Sequence, residues 1–181
     1  MVAERSGAAP VVEEVRFTEC DEAIFQHGGI PLRALEVAVR RCCELTGSSG
    51  AAAAIADGQR TVCRARSGSM APDIGVEVPQ HGLTSLSIRS RRLWRCDDAE
   101  GEPRADRTAC QALGIRSMVI APIVIPKRVL GVLEVFSPSP FAFDDYHSAA
   151  VQLVASALAI ATVRGVSDNR SDFRRELLPP G

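Results

Sequence analysis

The chain has 181 residues, 46% of them hydrophobic, and a formal net charge of -1. Such apolar content excludes a wholly disordered chain, and near-zero charge removes any global pull toward nucleic acid or an anionic membrane. Aromatics are only 4% of residues, so the expected core is aliphatic and alanine-rich.

The start, MVAERSGAAPVVEEVR, lacks the basic-then-apolar order of a secretory signal, and no apolar run reads as a membrane span. A cytoplasmic location is expected, in which the six cysteines stay reduced. Cys42 and Cys43 are adjacent, Cys20, Cys63, Cys96 and Cys110 are scattered, and no C-x-x-C occurs. His27, His81 and His147 do not pair at helical ligand spacing, so no metal site is expected.

Residues 1–29 show weak periodicity and read as a tail or irregular segment. PLRALEVAVRRCCELTG then opens on Pro31 and stops at Gly47, with Leu32, Leu35, Val39 and Cys42 three and four apart, a helix pattern. GAAAAIADGQRTVCRARSG carries Asp57-Gly58 between two alternating runs and predicts an antiparallel hairpin. In its second strand the alternation puts Cys63 and Ala65 on one face, which makes Cys63 a core residue.

From Met70 to Gln80 the chain reads as a loop with Pro72 and Pro79, and LTSLSIRSRRLW as a short helix capped near Thr84 or Ser85. LWRCD predicts a strand, DAEGEPRAD an acidic loop, and RTACQAL a brief helix capped by Asp106 and ended by Gly114. With Gly114 left-handed, Cys110 and Ile115 should touch across the helix end. SMVIAPIVI and RVLGVLEVF are two strong strands around Pro126-Lys127, the first covered on both faces and interrupted near Pro122. FDDYHSAAVQLVASALAIATVR is a long helix capped by Asp144, apolar almost all round and therefore in need of partners on two sides. Residues 165–181 read as a polar tail, frayed or weakly helical. The element order predicts an α+β fold with a mostly antiparallel sheet and its terminal helices together.

Three stretches in combination resemble the GAF domain family: LRALEVAVRRCCELTG, LWRCDDAEGEPRADRTACQALGIRSMVIAPI and RVLGVLEVFSPSPFAFDDYH. The likeness runs over residues 30–164 and is to a stand-alone bacterial GAF domain protein. It implies a central antiparallel sheet of five to six strands, with the N- and C-terminal helices on one face. Short helices and loops would close a pocket on the other. It also implies a small-molecule sensor that dimerises through its terminal helices, with a separate protein as output and no nucleic-acid or membrane partner.

The sharper forms of that resemblance fit less well. Bilin-binding relatives commonly follow their cysteine with histidine, whereas Gln111 follows Cys110. The N-K-F-D-E string of cyclic-nucleotide binders is missing, and His81 is the only histidine near the expected pocket as a haem ligand. Haem, bilin and cyclic nucleotide are each disfavoured, and the cofactor is left unassigned. A GAF-type free methionine-(R)-sulfoxide reductase, using Cys96 and Cys110, is the enzyme alternative. Against it, GLTSLS has no cysteine and Glu134 is the sole carboxylate of its strand. A purely structural dimerisation domain is the third reading. Arg89, Arg91, Arg92 and Arg95 around Trp94 read as a solvated face, and Asp97 with Asp98 as turn groups. The leading expectation is therefore a non-catalytic sensing module with no catalytic residue. Its pocket would lie between the sheet and residues 83–91 and 97–113, lined by Leu83, Leu86, Cys96, Asp97, Cys110, Met118 and Ile120.

Overall fold

The computed structural model describes the backbone of residues 29–176 and side chains through residue 164. The expected leading tail, with Cys20 and His27, lies outside the described residues, as do residues 177–181. Helix α1 (Leu32–Thr46) buries Ala34, Leu35, Ala38, Val39 and Cys42 at three- and four-residue spacing. Leu32, the first residue of the helix and expected on that stripe, is 50% exposed. Gly47 ends the helix at φ +62°, its N–H donating to the Cys43 carbonyl.

Strands β1 (Gly50–Asp57) and β2 (Arg60–Gly68) form the expected hairpin, with one correction. Ala53 pairs with Ala65 and Ala54 with Cys63, so Arg64 is an extra residue in β2. This bulge inverts the alternation. Cys63 joins Ala52 and Ala54 on one face, and Ala65 joins Ala51, Ala53 and Ile55 on the other. The segment after β2 is more than a loop. Its carbonyl and amide groups bond the outer edge of β2, Val76 O accepting from Cys63 N–H and Thr61 O accepting from Val78 N–H, each at 2.8 Å. That pairing covers a sheet edge.

Helix α2 (Gly82–Ser90) begins one turn earlier than expected, with His81 at its N-cap, and ends at Arg91 in the left-handed region. Thr84 and Ser85 are therefore inside the helix, and neither caps it. Strand β3 (Trp94–Cys96), helix α3 (Arg107–Leu113) and strands β4 (Ser117–Ile125) and β5 (Arg128–Ser137) follow. The sheet is antiparallel throughout, in the order β2-β1-β5-β4-β3. A register slip lies between Ile123 and Val124, beside Pro122, and β3 reaches only as far as Ile120 on the other side. At the middle of the sheet, a Cβ on Gly131 would lie 2.2 Å from the Ala54 carbonyl oxygen, so glycine permits the close approach of β5 to β1.

Helix α4 (Asp145–Glu176) continues well past residue 164. Asp144 caps it: His147 N–H donates to Asp144 Oδ1 at 3.0 Å, and Asp144 N–H donates to His147 Nδ1 at 3.2 Å. The stretch Asp145–Arg164 is long and apolar enough, at mean hydropathy 1.4, to cross a membrane by length and composition. This corrects the expectation that no such run exists. A third of it is buried, through Val151, Ala155 and Leu158, against the sheet and α1. Packing on the sheet therefore accounts for one apolar side, while Leu153 (70% exposed) and Ile160 (54%) face outward.

Alternation along the strands divides the core in two. Val119, Ala121, Leu133 and Val135 point toward α1 and α4, while Met118, Ile120, Val132 and Phe136 point toward α2 and α3. The result is an α+β fold, with terminal helices on one face and short helices on the other.

Candidate functional site

The second face is incompletely filled. Alanines 52 and 54 of β1 stand where larger side chains would reach α3, and a cavity of about 200 Å3 remains above them. Its floor also includes Cys63, Met118, Glu134 and Phe136; Leu83, Thr84, Cys110, Leu113 and Ile115 form the sides, and Val76, Val78 and Pro79 close the β2 end.

Local sequence sets the α3 wall. Asp106 Oδ1 accepts the Ala109 N–H at 3.0 Å and fixes the helix start. Gly114 turns left-handed at φ +71°, its N–H donating to Gln111 O at 3.2 Å, and Ile115 N–H donates to Cys110 O at 2.8 Å. This paired arrangement carries Cys110 and Ile115 into one apolar cluster, as the glycine predicts. Those two residues also line an outer crevice of about 350 Å3, so they form the partition between it and the inner cavity.

The polar feature of the floor is Glu134. Flanked in β5 by inward-facing Val132 and Phe136, it is only 5% exposed. Thr84 Oγ1 donates to Glu134 Oε1 at 2.6 Å, joining α2 to the sheet. Burial pushes the Glu134 carboxyl up to about 7, and the Thr84 hydrogen bond opposes that rise.

The thiols are held in their protonated form. Burial raises Cys63 to about 11, and its Sγ donates to the Ala65 and Pro72 carbonyls at 3.6 and 3.7 Å. Burial, then the Asp106 and Glu134 carboxyls, raise Cys110. Cys96 is likewise raised to about 11, first by burial. No activated thiolate exists among these three at neutral pH.

Of the seven expected pocket residues, Leu83, Cys110 and Met118 line this cavity. The other four do not reach it. Leu86 packs half-buried at the cluster's margin, and Ile120 and Cys96 are buried within it. Asp97 turns outward, pairing with Arg95 at 3.0 Å while its carbonyl accepts the Phe141 N–H. The reason for Cys96 and Asp97 is topological: β3 is the edge strand beyond β4, whereas the void sits above β1, β5 and the near side of β4. Missing from the expected set were Glu134, Thr84, Cys63, Phe136 and the Val76–Pro79 segment. An acidic residue midway along the apolar run VLEVF was the available signal for Glu134.

The arginine cluster is partly engaged, with Arg91 and Arg92 exposed. Arg95 bridges Asp97 and Asp145, Arg89 donates to Gln80 O at 3.0 Å, and Arg104 lies over the Trp94 ring at 4.7 Å. Among the described residues no group of three His, Cys, Asp or Glu side chains is placed to hold a metal ion.

The family model described as GAF domain matches residues 33–162. Among solved structures, the second GAF domain of DevS from Mycobacterium smegmatis is 19% identical at TM-score 0.62, covering 77% of this chain and 97% of that one. The free methionine-R-sulfoxide reductase of Neisseria meningitidis, solved with its substrate, is 18% identical at TM-score 0.64 over 75% and 80% of the two chains. The blue-light-absorbing form of the PixJ GAF domain from Thermosynechococcus elongatus is 14% identical at TM-score 0.67, over 80% and 92%. No curated protein matches by sequence. At such identities the shared property is the fold. With the family match spanning most of its length, the chain belongs to the GAF domain family.

Proposed function

We propose that this GAF domain, spanning residues 30–164, is a non-catalytic small-molecule sensing module. It works as a cytoplasmic homodimer and reports its ligand state to a separate output protein. The observation that carries this reading is the cavity itself: an apolar hollow of about 200 Å3 with a single buried carboxyl in its floor. Apolar walls with a few convergent polar groups are the usual make-up of a ligand site. A purely structural role would favour larger side chains at Ala52 and Ala54, since a well-packed interior leaves few voids of this size. The exposed Leu153 and Ile160 of α4 and Leu32 and Val37 of α1 support dimerisation through the terminal helices.

The reductase alternative is less well supported. Sulfoxide attack needs a thiolate, yet Cys63 and Cys110, the two thiols lining the cavity, are both shifted toward the protonated form. Cys96, the expected partner of Cys110, does not line it. Native mass spectrometry of freshly purified full chain tests the sensor reading. The expected spectrum is a dimer carrying a small retained mass; an empty monomer would contradict it. Turnover of free methionine sulfoxide with thioredoxin and NADPH, lost in Cys110→Ser, would establish the reductase instead.

A further inference from the structure

The charged groups lining the cavity are mostly acidic, with His81 Nε2 at the rim 3.8 Å from Asp106 Oδ2. Its lining holds three carboxyl groups, Glu77, Asp106 and Glu134, and no lysine or arginine. Two of the three already have work. Asp106 caps α3, and Glu77 pairs loosely with Arg60 at 3.9 Å on the outer edge. Glu134 differs. Thr84 takes Oε1, and among the described residues no cation pairs with the carboxyl and no donor meets Oε2. A buried carboxyl without a counter-charge is costly to ionise, and a ligand cation lowers that cost.

From this we infer that the cavity takes a small organic cation, a protonated amine with a compact apolar body whose ammonium meets the Glu134 carboxylate. The inference rests on the cavity being a ligand site. Size limits the body, because about 200 Å3 is below the roughly 300–1,000 Å3 of drug-sized sites. The alanine, methionine and phenylalanine of the floor suit an aliphatic chain. Sign limits the head, because a carboxylate or phosphate would enter an apolar space beside a carboxyl group with no lining arginine or lysine to receive it. A neutral alcohol would satisfy Oε2 without supplying the charge that lets Glu134 ionise. The groups facing Glu134 are the Thr84 hydroxyl from α2 and the Cys63 and Cys110 thiols from β2 and α3, with Glu77, His81 and Asp106 at the rim.

Isothermal titration of the full chain near pH 8 with 3-methylbutylamine, 3-methylbutan-1-ol and 3-methylbutanoate tests this. The three share a body and differ in the charge of the head. The amine should bind about tenfold or more tightly than the alcohol, with the acid weakest, a gap of the size a charge-assisted hydrogen bond supplies. Glu134→Gln should bring amine and alcohol to near parity. If that variant does not fold, carbon-13 NMR of the wild-type glutamate carboxyls is the second readout, in which the amine should lower the Glu134 titration midpoint. Alcohol binding as well as amine, or acid binding best, would overturn the inference while leaving a small-molecule site in place. No binding by any of the three would overturn the inference and also count against the site.

Discussion

Replacing Glu134 with glutamine should change how stability depends on pH, and the expected size follows from the burial of that group. Its folded value is about 7 against an ordinary 4.5, so the folded state prefers the neutral carboxyl. A group raised in this way supports folding fully below its unfolded value and loses that support as pH rises through its folded one. For Glu134 the window runs from about 4.5 to about 7, and above it the penalty is constant. At about 1.4 kcal/mol per pH unit the wild type should lose about 3 kcal/mol across this window that Glu134→Gln does not lose. In a domain of this size that corresponds to roughly 6–12 °C in Tm. Urea unfolding of both proteins, followed by circular dichroism at intervals from pH 4 to pH 8, measures the difference. Any pH-independent cost of the amide appears at every point and cancels, as do the other titrating groups. A wild-type-minus-variant difference that stays flat with pH would refute the reasoning, because Glu134 would then be titrating as a hydrated carboxyl and the floor of the cavity would be wet.

Other consequences are simpler to check. Gly131→Ala places a Cβ against the Ala54 carbonyl and Ile55 Cα of β1, and should cost about 1–3 kcal/mol or more in denaturant unfolding; an unchanged midpoint would contradict the close approach. Cys63, Cys96 and Cys110, all shifted up by burial, should be alkylated by iodoacetamide in the native state near pH 8 at least about tenfold more slowly than in urea, read by peptide mass mapping. Equal rates would show an accessible, activated thiol. Ile160→Glu, on the outward side of α4, should convert a dimer to a monomer in light scattering while the variant still unfolds in one cooperative transition; a dimer that survives it uses another surface.

Local patterns announced much of this architecture, because local chemistry decides it. Gly47 and Gly114 end their helices where a left-handed residue is needed, and Asp106 and Asp144 begin theirs by accepting backbone N–H groups. The bringing together of Cys110 and Ile115 follows from the left-handed Gly114. Other features depend on partners distant in the chain. The bulge at Arg64 exists only relative to β1, and it reverses which side Cys63 faces. Thr84 looks like a cap until Glu134, fifty residues on, accepts its hydroxyl proton. Cys96 and Asp97 sit in a segment that resembles a pocket wall, yet the single strand of separation between β3 and β5 keeps them from the void. The Val76–Pro79 segment reads as a loop because its pairing with β2 is irregular, although that pairing closes one end of the cavity.

The central claim, that the cavity is a ligand site, is tested most directly at the Met118 methyl group. The chain has three methionines, of which Met118 lines the cavity and Met70 packs in the same apolar cluster. Methyl-labelled protein would be compared by NMR as purified and after unfolding, exhaustive dialysis and refolding. The account predicts a Met118 resonance that moves when the bound molecule is stripped and returns when the concentrated dialysate is added back. Identical Met118 resonances in both preparations, unresponsive to the dialysate, would contradict it.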